Sequence, residues 1–257
     1  MRYSHVFVAR PLPESMELAA LLAPLGLQVV IQPAFDFRQQ DIAESEPGLM
    51  EILESTVSAS LLVFTSPRSV SFGLPQIPRG FLNRCKIAAI GPSTSKSLEA
   101  AGVRVNIQPE AGFTSEALLA SLRTGASGIS GPVKTAYIVA APGGRRKIEQ
   151  GLNELGWDVQ MLMVYQRENA DIGKKQLEEL AACEGLLSVW TSSNAMKSLS
   201  QRLPSSAWFR ICQGDWLVIS NRLKRLARAY GPAEVHLSPG PGNSDILTAI
   251  RTLNFRQ

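Results

Sequence analysis

The residues best suited to chemistry in this chain are hydroxyls, amides and arginines placed where short apolar runs stop. Leu61-Leu62-Val63-Phe64 ends in Thr65-Ser66-Pro67-Arg68, and Ile87-Ala88-Ala89-Ile90 ends in Gly91-Pro92-Ser93-Thr94. In the second half Leu187-Ser188-Val189-Trp190 ends in Thr191-Ser192-Ser193-Asn194, and the run from Trp216 to Ile219 ends in Ser220-Asn221-Arg222. Two further turns carry arginine, Ala9-Arg10-Pro11 and Pro142-Gly143-Gly144-Arg145. Each apolar run reads as a buried parallel strand, and each polar turn as the start of a helix. A helix start leaves backbone N–H groups unpaired and carries partial positive charge, so these turns suit a carboxylate or a phosphate. The alternative is that residues such as Ser66 and Thr94 simply cap their helices.

The chemistry is narrowed by what is missing. The sequence has no Gly-x-Gly-x-x-Gly and no Gly-x-x-x-x-Gly-Lys, which disfavours a dinucleotide or ATP; the turn at Pro142 lacks the lysine of a phosphate loop. The two histidines, His5 and His236, fall in or beside expected strands and read as structural. Cys85, Cys183 and Cys212 lie far apart without metal spacing, and no serine elbow or cysteine–histidine pair is visible. Turns rich in hydroxyls, amides and arginines, without nucleophile, metal or cofactor, suit a reaction in which holding a polyanion in one shape does most of the work.

The elements that must hold these turns repeat. Thr65 is echoed by Thr191, Ser115-Glu116-Ala117-Leu118 by Ser244-Asp245-Ile246-Leu247, and Gly26 by Gly156, at nearly equal intervals. The pattern predicts strands at His5–Ala9, Leu27–Ile31, Leu61–Phe64, Ile87–Ile90, Tyr137–Ala140, Trp157–Met163, Leu186–Trp190, Trp216–Ile219 and Glu234–Leu237. Helices fall between them, among them Glu14–Leu25 closed by Gly26, and Glu46–Val57; Arg123–Pro132 reads as a loop. Such alternation means an α/β protein of parallel sheets flanked by helices. Phe35-Asp36-Phe37-Arg38 and Val164-Tyr165-Gln166-Arg167 occupy matching places and read as connectors. The expected organisation is two segment-exchanged lobes, residues 1–34 with 168–257 and residues 39–164, joined by a two-stranded linker at 35–38 and 165–167. A cleft lined by turns from both lobes would then form at the carboxyl ends of the strands.

Composition is that of a globular protein, 45% hydrophobic and 19% charged in 257 residues. The net charge of +4 is scattered, and its densest group, Arg222, Lys224, Arg225 and Arg228, has the spacing of a solvated helix face rather than a nucleic-acid patch. No run approaches a membrane span, and the cysteines suit a reducing compartment, so the expectation is a cytoplasmic monomer with a small-molecule partner and neither nucleic acid nor membrane.

Phe64-Thr65-Ser66, Ile90-Gly91-Pro92-Ser93-Thr94 followed by Gly102, Gly144-Arg145, Val164-Tyr165-Gln166-Arg167 and Trp190-Thr191-Ser192 together resemble the uroporphyrinogen-III synthase family, over essentially the full chain. The resemblance implies a cofactor-independent lyase that closes linear hydroxymethylbilane, an octacarboxylate, with loss of water and inversion of ring D through a spiro intermediate. It matches Tyr165 to a family tyrosine that assists departure of the hydroxyl. It matches Thr65, Ser66, Gly91, Pro92, Ser93, Thr94, Thr191, Ser192, Ser193 and Asn194 to turns that hold carboxylates, with Ser220 and Asn221 as a weaker second-half site. Arg10 and Arg145 match cleft arginines that could equally form interlobe ion pairs. The sequence departs from the family pattern at Ala9, where threonine is common, and at Ser220-Asn221-Arg222, which replaces the counterpart of Gly91-Pro92-Ser93. A two-lobed sensor of an acidic metabolite, without chemistry of its own, is the rival reading.

Overall fold

Short buried strands alternate with helices in a computed structural model that describes residues 2–55, 60–123, 134–143 and 146–255. The first stretch runs β1 (His5–Val8), α1 (Leu12–Leu22), β2 (Gln28–Ile31), β3 (Phe35–Gln39), α2 (Ile42–Ser45) and α3 (Leu49–Ser55). It continues with β4 (Ser60–Phe64), α4 (Pro67–Gly73), α5 (Arg79–Arg84), β5 (Lys86–Ala89), α6 (Pro92–Ala100) and α7 (Ser115–Arg123). Then come β6 (Thr135–Ala140), α8 (Lys147–Glu154), β7 (Asp158–Met163), β8 (Tyr165–Asn169), α9 (Lys174–Ala182) and β9 (Leu186–Trp190). The last stretch is α10 (Ser193–Arg202), α11 (Ser205–Gln213), β10 (Asp215–Val218), α12 (Asn221–Arg228), β11 (Val235–Leu237) and α13 (Asn243–Phe255).

The chain forms two units, residues 1–36 with 168–257 and residues 37–167. The first holds a five-stranded sheet in the order β11-β10-β9-β1-β2, and the second a four-stranded sheet, β5-β4-β6-β7; every recorded pairing in both is parallel. β3 and β8 pair as a separate two-stranded sheet, through which both passages between the units run. The expected parallel α/β architecture is therefore present.

The central strands of each sheet are buried on both faces because they are apolar at nearly every position. In the second unit Leu62, Phe64, Ile87 and Val139 face one core, while Leu61, Val63, Ala88 and Ile138 face the other. In the first, Phe7, Trp190 and Trp216 point to one side and Val6, Val8, Leu187 and Val189 to the other. This is the two-residue period of a pleated strand, applied to strands covered on both sides. Trp190, Trp216, Trp208 and Tyr230 form a continuous ring cluster, with the Trp190 and Trp216 centroids 5.0 Å apart.

Several boundaries differ from expectation for local reasons. The expected helix at 14–25 ends at Leu22 and tightens into a 3-10 turn over Ala23–Leu25, since Pro24 has no N–H for the helical ladder; Gly26 at φ +70° then closes it. The expected helix at 46–57 starts only at Leu49 as α3, after Pro47 and Gly48 at φ +91°, and the short α2 before it is an addition; Thr56 and Val57 lie outside the described residues. So does most of the loop expected at 123–132. Helices α5 and α11 are additions that the sequence pattern does not predict. On α12 Leu223 and Ala227 are buried, whereas Arg222, Arg225 and Arg228 point outward, a solvated face as expected.

The helix starts after the strands are capped unequally. Ser66 accepts from Ser69 N–H at 3.0 Å and its own N–H donates to Ser69 Oγ at 3.1 Å, a capping box. Ser220 accepts from Leu223 N–H at 3.3 Å, whereas Ser192 makes no side-chain cap bond to α10.

At the opposite, amino edge of the five-stranded sheet, a polar cluster secures the start of the chain. The Tyr3 hydroxyl donates to Asp215 Oδ2, Arg2 pairs with Asp215 at 2.7 Å and Glu234 at 3.0 Å, and Tyr3 N–H donates to Asn254 Oδ1 at 2.8 Å. Burial, reinforced by the bond to Asp215, pushes the Tyr3 phenol above the usual tyrosine value. The unfolded chain thus releases this proton near pH 10 while the native state keeps it, so the contribution of Tyr3 to stability is complete below about pH 10 and falls as pH rises further. Tyr3→Phe should cost roughly 1–3 kcal/mol near neutrality, and the gap to wild type should narrow above about pH 10; urea unfolding between neutral and alkaline pH measures both. By the same method Ser66→Ala and Ser220→Ala should each lower stability by about 1 kcal/mol, with a smaller loss for Ser192→Ala, which removes no cap bond.

Candidate functional site

Because every pairing within each sheet is parallel, all the carboxyl ends of its strands lie on one edge, and the polar turns follow there. In the second unit Phe64 pairs with Ala89 and with Val139, and Ala140 with Met163. This register brings Thr65-Ser66, Gly91-Pro92-Ser93, the turn at Pro142 and Tyr165 to a common edge. Thr65 Oγ1 donates to Val139 O at 3.0 Å, so its hydroxyl hydrogen is committed inward and its neighbour Ser66 is the better donor to an anion. Ser66 Oγ accepts in the capping box and keeps its own hydrogen. Gly91 is the N-cap of α6, Pro92 has no N–H, and Ser93 is exposed. Thr94 is only 1% exposed, and its N–H donates to Gly91 O at 3.1 Å. Gly144 and Arg145 lie outside the described residues. Their neighbour Arg146 donates to both carboxylate oxygens of Glu149, at 2.6 and 2.5 Å.

Tyr165 is half-buried. Its ring stacks on Phe72 at 5.4 Å and meets Phe37 edge-on at 5.9 Å, while among the described residues its hydroxyl has no hydrogen-bond partner. Two aromatic neighbours thus fix the ring and leave the phenol O–H available. The Arg68 guanidinium stands 3.7 Å from the Phe37 ring centroid, in the first turn of α4. Sequence alone assigns Arg68 no role; its one signal there is an arginine two residues past the Ser66 cap.

In the first unit Val8 pairs with Val189, and Val218 with Trp190, which brings Arg10, Thr191-Ser192 and Ser220 to the carboxyl edge of three adjacent strands. Arg10 donates to Asn243 Oδ1 at the start of α13, a partner within its own unit. Burial lowers its pKa from the ordinary arginine value, and Glu14 and Glu17 oppose that shift; the guanidinium stays charged. With no side-chain cap on α10, the N–H groups of Ser193, Asn194 and Ala195 have no acceptor among the described residues. Three open donors beside an arginine on the next strand make the most anion-ready edge in this unit. Asn194 is exposed and lines a polar recess of about 330 Å³ with Lys197 and Arg202. Ser220 is engaged in capping α12, and Asn221 is exposed.

At the amino edge, ligand atoms of Asp215, Glu234 and His236 lie within 4.8 Å of one another. Arg2 bonds the same Asp215 and Glu234 oxygens that a metal would use, so the trio reads as an ion-pair cluster around His236, remote along the strands from the turns above.

Residues 16–248 match the family model described as "Uroporphyrinogen-III synthase HemD". The chain is 27% identical over 253 residues to the uroporphyrinogen-III synthase of Escherichia coli K12, covering 96% of this chain and 99% of that protein. Uroporphyrinogen-III synthetase from Helicobacter pylori 26695 superposes with a TM-score of 0.60 at 14% identity, over 97% of this chain and 99% of that one. A mutant uroporphyrinogen-III synthase from Thermus thermophilus gives 0.58 at 17% identity, over 98% and 99%. At such identities the structural likeness speaks for the fold, while the sequence match, spanning nearly the whole chain, speaks for the family. This chain belongs to the uroporphyrinogen-III synthase family.

Proposed function

We propose that the protein is itself a uroporphyrinogen-III synthase, a ring-closing lyase that converts linear hydroxymethylbilane into uroporphyrinogen III. The observation that carries this reading is the gathering of anion-suited groups on the carboxyl edge of each sheet, in a chain of this family. The substrate bears eight carboxylates and must be held in one shape while its terminal carbon meets ring D. The uncapped N–H groups of Ser193, Asn194 and Ala195, the Ser66 and Ser93 hydroxyls and Arg10 supply donors of the right kind. Gly91, Pro92, Thr94, Thr191, Ser192, Ser220 and Asn221 shape those turns, and in sequence Gly144 and Arg145 follow Pro142-Gly143 as further candidates.

In the reaction the C–O bond of the hydroxymethyl group breaks, with the electron push coming from its pyrrole nitrogen, and the hydroxyl gains a proton to leave as water. The resulting carbon is attacked by the substituted carbon of ring D, giving a spiro intermediate whose rearrangement inverts that ring. Tyr165 is the candidate to donate a hydrogen bond or proton to the departing hydroxyl, since its phenol O–H is a donor. Its clamped ring and an O–H without a partner among the described residues support that role. We take the enzyme to act without metal or cofactor, as a cytoplasmic monomer that does not engage nucleic acid. No helix among the described residues is long and apolar enough to cross a membrane.

The test is to supply hydroxymethylbilane and resolve isomers I and III of the product. The expectation is rapid formation of isomer III, unchanged after dialysis against a chelator. Isomer I alone, at the uncatalysed rate, would favour a non-enzymatic sensor. Tyr165→Phe should lower kcat between about tenfold and hundredfold without loss of fold by circular dichroism; full activity in that variant would remove the tyrosine from the chemistry.

A further inference from the structure

We propose that Phe113 is a substrate-contacting residue that positions the tetrapyrrole, offering its ring to the flat apolar face of a pyrrole. The inference deepens the function proposed above and rests on it for the identity of the ligand; the observations behind it concern the protein alone.

Phe113 is the one non-glycine residue with positive φ among the described residues, at +32°. In that region Cβ crowds the backbone, so a bulky L residue stays there only where its surroundings impose it. The imposition is visible on both sides. Gly112 precedes it at φ +85°, and the Thr114 hydroxyl oxygen accepts from Ala117 N–H at 3.2 Å to start α7. The burial gain that would offset the strain is only partial. Phe113 is 48% exposed and belongs to none of the hydrophobic clusters among the described residues; Leu118, Leu119 and Leu122 of α7 fill the core below without it.

The place of the ring gives the strain a use. A Cβ built on Gly91 would come within 3.0 Å of Phe113 Cβ and 3.4 Å of Cγ, so the phenylalanine stands against the Gly91–Thr94 turn on the carboxyl edge of the second unit. An exposed aromatic in an unfavourable backbone conformation is disfavoured twice by folding, and such residues persist where function requires them. The ligand chemistry fits. A pyrrole is a planar, electron-rich ring that stacks offset on a phenyl face, and its carboxylate arms leave from its rim toward polar neighbours. Phe113 thereby selects a pyrrole face in a setting where the surrounding turns recognise only charge.

The experiment compares wild type with Phe113→Gly, Phe113→Asn and Phe113→Tyr in three measurements: turnover of hydroxymethylbilane with isomer analysis, binding of uroporphyrin III by absorbance titration, and thermal midpoint. Glycine and asparagine accept a left-handed backbone, so both variants should melt at or above the wild-type temperature. KM should nevertheless rise, and porphyrin binding weaken, by about tenfold in both, whereas Phe113→Tyr should remain within about threefold of wild type. Unchanged KM and binding in Phe113→Gly would overturn the proposal. So would a fall in activity matched by a fall in melting temperature, which would make Phe113 a packing residue. Wild-type protein that binds the porphyrin without forming isomer III would sink the enzymatic reading alone, and the binding arm would still judge Phe113. Wild type that does neither would refute both.

Discussion

Parallel pairing is the constraint on which the rest of this structure depends. A parallel strand can be followed by another only if the chain crosses back over the sheet, and here helices make most of those crossings. The crossovers cover both faces, so the strands must be apolar at nearly every position; Leu61 to Phe64 and Leu186 to Trp190 are buried throughout for that reason. The same geometry sends the carboxyl end of every strand in a sheet to one edge. The polar turns that follow the strands of one sheet thereby share that edge, without any long-range design of the individual turns.

The two edges have separate tasks. At the amino edge of the five-stranded sheet the polar groups are mutually satisfied: Tyr3, Arg2, Asp215, Glu234 and His236 bond one another. Such a cluster stabilises and has little left to offer a ligand. At the carboxyl edges of the two sheets, each taken by itself, satisfaction is incomplete. Ser192 leaves α10 uncapped, the Ser66 hydroxyl keeps its hydrogen, the Tyr165 hydroxyl has no partner among the described residues, and Phe113 is exposed in a strained conformation. Each of these is a small local cost to folding, of the kind that the proposed binding of a ligand would offset.

Thr65 and Ser66 show how finely this division runs. They are adjacent hydroxyls in one turn, yet one donates inward to Val139 O and the other accepts from a helix N–H. Only the second keeps a hydrogen for a carboxylate, and residue type alone does not distinguish them.

Much of the fold could be read in the chain because it rests on local patterns. Apolar runs of strand length flanked by Gly, Ser and Pro located the central strands, and left-handed glycines such as Gly26 and Gly231 closed helices where expected. The repetition of those patterns implied parallel sheets, and the motifs implied the family. Short helices escaped that pattern: α5 is six residues long, and α11 offers only Ala207 and Ile211 as a buried stripe, with Trp208 joining the Trp190 and Trp216 cluster from across the fold. The sequence by itself determined which segments are buried and which turns are polar, because hydrophobic period and turn chemistry act over a few residues. Only the tertiary structure decided which hydroxyl is already spent and what the strained aromatic stands against, because Val139, which takes the Thr65 hydrogen, and Gly91, beside Phe113, are distant from them in the chain.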